Sequence, residues 1–95
     1  MAYQLGNSVR LSVTFKNYAG AATNPDAGTD RLTMYGATLS ELLFTVVSAS
    51  LANDGVGIRH WDWVPTKVGT YTYEWYALLS GEPSIVRRQV QIVEV

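Results

Sequence analysis

The groups in this chain able to do acid–base or ligand chemistry collect between Asn53 and Trp63. His60 is the only histidine, flanked by Trp61 and Asp62 and preceded by Asp54. Paired with either aspartate, its imidazole would be oriented as a general base. Hydrolysis also needs an activated nucleophile. The sequence has no nucleophile-elbow signature and no cysteine, so His60 reads as a structural or edge histidine. Asn53-Asp54-Gly55, with Asp62 nearby, offers oxygen ligands for a hard cation, but the EF-hand spacing is missing and the local carboxylates are too few to enclose calcium. No catalytic residue, metal or cofactor is therefore expected.

Aromatic chemistry is richer. Trp61, Trp63, Trp75 and Tyr76 are the residues that could form a platform for a sugar or a protein partner. In residues 58–64, period-two alternation puts Arg59, Trp61 and Trp63 on one face and Ile58, His60, Asp62 and Val64 on the other. If Ile58 and Val64 face the core, both tryptophans point outward. Tyr76 lies on the outer face of the next strand. Two outward tryptophans are natural at an interface, where this residue is enriched. The expected partner-binding set is Arg59, Trp61, Trp63 and Tyr76.

Composition sets the limits on these readings. Ninety-five residues make one domain, and 47% hydrophobic against 16% charged residues excludes disorder. A net charge of −1, with Arg87-Arg88 the only adjacent basic pair, argues against a nucleic-acid footprint. Without cysteine there is no disulfide and no thiolate site. The amino terminus shows no signal-peptide pattern, and no apolar run is long enough to span a membrane. A protein made in the cytoplasm, without membrane contact, is expected.

The elements that must position these groups read as strands. Val9, Leu11, Val13 and Phe15 alternate with Arg10, Ser12, Thr14 and Lys16 as one half-buried strand; Leu5-Gly6-Asn7 before it permits a short strand around Tyr3. Residues 17–30, with Gly20, Asn24-Pro25-Asp26 and Gly28, form a long connection that crosses between sheets or reaches a partner. Residues 31–36 and 42–48 are further strands. Residues 53–57 and 80–84 are turns. Residues 58–64 are expected at an edge or between two packed surfaces. From Gly69 to Leu79, Tyr71, Tyr73, Trp75 and Ala77 share one face. In the last strand Val90 and Ile92 turn inward. The sum is an all-β, antiparallel sandwich of about seven strands in a single domain over residues 1–95.

Two resemblances refine this. Gly69-Thr70-Tyr71-Thr72-Tyr73 resembles the tyrosine corner of immunoglobulin-like domains, with Tyr71 as the corner and Tyr73 in the core position that often holds cysteine. More broadly, the opening Tyr3-Gln4-Leu5-Gly6-Asn7-Ser8-Val9-Arg10-Leu11, the turns at Gly20, Asn24-Pro25 and Gly55-Val56-Gly57, and the closing Pro65-Thr66-Lys67-Val68-Gly69-Thr70-Tyr71-Thr72-Tyr73-Glu74-Trp75 resemble small Ig-like proteins of tailed bacteriophages. Those proteins often carry Pro-Asp-Gly where this chain has Tyr35-Gly36-Ala37-Thr38. The resemblance implies a non-enzymatic virion component: a capsid decoration, head–tail or tail module. It would bind other virion proteins or further copies of itself. A carbohydrate- or cell-surface-binding module is the alternative.

Overall fold

The computed structural model describes residues 2–94, and among them the only helical segment is a 3₁₀ turn at Ser48–Ser50. Eight strands follow the chain: β1 (Ala2–Gln4), β2 (Val9–Thr14), β3 (Arg31–Tyr35), β4 (Leu42–Val47), β5 (Ala52–Gly55), β6 (Ile58–Trp63), β7 (Gly69–Leu79) and β8 (Glu82–Val93). They form two sheets, in the orders β1-β8-β7-β3-β4 and β2-β6-β5. This is the immunoglobulin-like arrangement, B-E-D facing G-F-C-C′, with a first strand added beside G. The protein is an Ig-like β-sandwich. Its pairing is antiparallel except that β1 runs parallel to β8, with Tyr3 opposite Ile92.

The alternation in β2 explains the packing. Val9, Leu11, Val13 and Phe15 are buried, and their neighbours face water. They meet Leu32 and Met34 of β3, Val46 of β4, Trp75, Ala77 and Leu79 of β7, and Val90 and Ile92 of β8. Trp75 sits at the centre, fully buried and edge-on to Phe15, with ring centroids 6.3 Å apart. Its indole N–H has no protein acceptor. That omission costs about 1–3 kcal/mol, less than the roughly 4–6 kcal/mol gained by burying the ring.

β7 and β8 form one long hairpin, register-matched from Gly69 opposite Ile92 to Leu79 opposite Glu82. The expected turn over residues 80–84 narrows to Ser80-Gly81, both at positive φ (52° and 80°), which matches the right-handed twist of the flanking strands. A strand rises about 3.3 Å per residue, so this hairpin accounts for the 42 Å long dimension. The second hairpin, β5–β6, turns at Val56-Gly57; the expected turn over residues 53–57 is thus partly strand. Gly57 is obligatory there: its φ is +72°, and a Cβ would lie 2.7 Å from the Phe15 carbonyl oxygen.

The connection between β2 and β3 crosses from one sheet to the other and is tied to both hairpins. The Asn24 side chain accepts from the Gly57 amide (2.9 Å). The Asp26 carboxylate accepts from the amides of Ser80 (3.0 Å) and Gly81 (2.8 Å), closing the β7–β8 turn. The corner after β6 closes in turn when the Tyr71 hydroxyl donates to the Lys67 carbonyl at 2.8 Å. That is the hydrogen bond of a tyrosine corner.

Candidate interaction surface

The structure reverses the expected faces of β6. This strand lies at the centre of its sheet, between β2 and β5, rather than at an edge. Val9 and Leu11 of β2 pair with Trp63 and Trp61, so the tryptophans share the inward face of their partners. Trp63 is 8% exposed and stands edge-on to Tyr71 (5.0 Å between centroids). Trp61 is half-buried against Phe44 of the opposite sheet, at 5.3 Å. Ile58 and Val64, which an outward platform required to face the core, are exposed. The premise for an outward tryptophan platform is therefore corrected: those rings close the sandwich.

Arg59 is also inside, and it is the reason the reversal works. Its Nε donates to Asp30 Oδ2 at 3.2 Å. Its Nη1 donates to the Asn53 side chain and to the carbonyls of Gly55 and Ile58, at 2.9–3.1 Å. Asp30 Oδ1 accepts from the Ser48 hydroxyl at 2.6 Å. A buried guanidinium is tolerable only when it is paired and hydrogen-bonded, and here Asp30 supplies the counter-charge while Nε and Nη1 both have acceptors. The pair bolts β5 and β6 to the start of β3 and the end of β4.

On the outer face of β6, His60 lies between two carboxylates. Its Nδ1 meets Asp54 across the β5–β6 pair, and its Nε2 is 4.0 Å from Asp62. Ser12 is its cross-strand neighbour. These residue types make up a hydrolytic triad. They lie on the outside of a sheet, however, and His60 lines none of the clefts described below. Asp62 is engaged by Arg10 through bonds of 2.9 and 3.1 Å. That hydrogen bond holds the Asp62 carboxyl below the usual aspartate pKa. Among the described residues, no group of three His, Asp or Glu side chains is placed to hold a metal ion.

Of the four expected partner-binding residues, Tyr76 alone keeps its place. It lies on the outer face of the five-stranded sheet, in a row set by strand register: Val47, Arg31, Tyr76 and Ile85, one from each of β4, β3, β7 and β8. The Arg31 guanidinium carbon is 4.3 Å from the Tyr76 ring centroid, a cation–π contact between neighbours in the row. Val47 and Ile85 flank it at 59% and 55% exposed. Leu78 opposite Pro83 extends the apolar strip, and Glu74 bound to Arg87 at 2.6 Å borders it on the other side. The strip runs out to β4, whose outer edge has no strand partner among the described residues. β4 carries no charge and exposes Leu42 at 60%. Natural proteins usually protect such edges with charge, proline or a covering segment.

No family model matches the chain, and no curated protein or solved structure matches it significantly. The surface must be read from its own chemistry.

Proposed function

We propose that this protein is a non-enzymatic structural or accessory module of a bacteriophage particle, bound to capsid or tail proteins through the outer face of its five-stranded sheet. The observation that carries the reading is the row Val47–Arg31–Tyr76–Ile85, apolar but for Arg31, which stacks on the Tyr76 ring, and continuous with the uncharged edge of β4. Isolated exposed apolar residues are ordinary; a row across four strands of aliphatic, aromatic and ring-stacked arginine side chains, rimmed by the Glu74–Arg87 pair, has the make-up of an interface core with a polar border. The resemblance of the turn pattern to phage Ig-like proteins supplies the kind of partner and the virion as location. The carbohydrate-binding alternative depends on tryptophans laid out in a groove, and Trp61 and Trp63 are turned toward the core.

The test is sedimentation with particles. The wild-type protein is expected to co-purify with intact particles in many copies. A Tyr76→Ala, Ile85→Asp double variant should remain folded, since both side chains project outward, and should be missing from particles. Absence of the wild-type chain from purified particles, or undiminished incorporation of the folded variant, would refute the reading.

A further inference from the structure

Strand order leaves one flank of the sandwich unclosed. β2 pairs with β6 on one side and has no strand partner on the other, among the described residues. On the facing sheet, β1 covers β8 only at Gln91, Ile92 and Val93, so the edge of β8 before them is also uncovered. Between the two edges lies a cleft of about 640 Å³, bounded by Arg10, Ser12 and Lys16 on the β2 side and by Tyr3, Tyr73 and Arg88 on the other. It continues into a second space of about 410 Å³ along Gln89 and Val90.

The charge of this cleft is one-sided. Three of the chain's cations line it, and no carboxylate lines either part. Arg10 is held by Asp62, whereas Lys16 and Arg88 make no ion pair among the described residues. Within a chain of net charge −1, such a segregated cationic wall attracts an anionic complement. The backbone specifies what form that complement takes. β2 presents its outer row of N–H and C=O groups to the cleft, and only another extended polypeptide can pair with both. A nucleic acid would meet the charges but leave the amides unpaired.

We propose that the cleft between β2 and β8 receives an extended acidic segment of a partner protein, which adds as a strand to the outer edge of β2. Its backbone completes the three-stranded sheet. Side chains of one parity reach Lys16, and those of the other parity lie over Tyr3, Tyr73 and Arg88, so that acidic groups of either parity meet a cation. β2 spans about 20 Å, so roughly six residues of the partner would be engaged. The chain's own uncovered β4 edge carries no charge, which makes a second copy the poorer occupant. This proposal is independent of the outer-face reading, since the two surfaces share no residue.

A blocked peptide of alternating Glu and Val, about eight residues long to span β2, is the probe, with its Lys–Val counterpart as control. Backbone amide shifts of residues 9–14 and 86–90 are expected on titration with Glu–Val and not with Lys–Val. Lys16→Glu with Arg88→Glu should weaken binding about tenfold or more, as should N-methylation of alternate peptide amides, which spares charge but blocks the ladder. Should the double glutamate variant fail to fold, Lys16→Gln with Arg88→Gln replaces it. The proposal is overturned if the shifts fall elsewhere or do not occur, or if N-methylation is tolerated. It also fails if a single-stranded oligonucleotide binds these residues more tightly, or if the variant changes the oligomeric state of the free protein.

Discussion

Replacing Arg59 with alanine removes the bolt between the sheets, and its cost can be worked from the contacts. The substitution takes away the charged partner of Asp30, whose side chain is 6% exposed, and leaves only the Ser48 hydroxyl to solvate it. Breaking a buried ion pair from one side typically costs about 3–5 kcal/mol, chiefly for the stranded charge. A domain of this size has only about 5–15 kcal/mol in total. With a urea slope of about 1.5 kcal/mol/M, the unfolding midpoint should fall by about 2–3 M. The decisive comparison adds Asp30→Leu to Arg59→Met. Removing both charges together should recover most of the loss, because an apolar pair of similar volume has no desolvation penalty to offset. Urea unfolding followed by tryptophan fluorescence reads all the variants. If Arg59→Ala costs less than about 1 kcal/mol, the pair behaves as a solvated surface bridge and does not hold β6 to β3 and β4.

Further outcomes follow from other parts of the structure. Trp61→Ala with Trp63→Ala should abolish cooperative unfolding, since each large-to-small change in a packed site costs about 3–5 kcal/mol; a cooperatively folded double variant would return these rings to the surface. Tyr71→Phe should cost about 1 kcal/mol for the lost bond to Lys67, measured as a drop in melting temperature with the fold unchanged. Burial raises the Tyr73 hydroxyl pKa, with Arg88 opposing, so its ionisation in an alkaline absorbance titration should come above the usual tyrosine range. Because the folded value lies above the unfolded one, that contribution to stability is present below about pH 10 and is lost as the pH rises further. Asp62 is shifted the other way, by Arg10. Arg10→Gln should raise its carboxyl titration midpoint by NMR, and the stability it contributes should be present above the ordinary aspartate range and fade as acid reaches its lowered midpoint.

How legible these features were in the sequence depends on the distance over which each is decided. The β2 alternation is local and unambiguous, and every residue assigned inward there is buried. In β7 the parity holds, with Trp75 and Ala77 buried, but Tyr71 and Tyr73 are only half so: one reaches out to cap the Lys67 carbonyl and the other borders the flank cleft. Thr72, on the opposite face, is covered as well. In β6 both faces mix polar and apolar groups, so periodicity does not choose between them. The choice is made by Asp30, far away in sequence, which converts Arg59 from a surface residue into a core one. A lone aspartate at the head of an apolar strand, Asp30 before Leu32 and Met34, was the available signal. The apolar row on the outer sheet was hidden for the same kind of reason: Val47, Tyr76 and Ile85 become neighbours only through register across four strands.

Tension applied along the chain would meet its resistance at β1. Because β1 runs parallel to β8, pulling the start of β1 against the end of β8 slides the two strands past each other lengthwise. The load then falls on their whole short ladder at once, including the Leu5 amide bonded to the Val93 carbonyl at 2.8 Å, rather than on one bond after another as in a hairpin peeled from its open end. The three residues of β1, the smallest strand in the fold, therefore act as its mechanical latch.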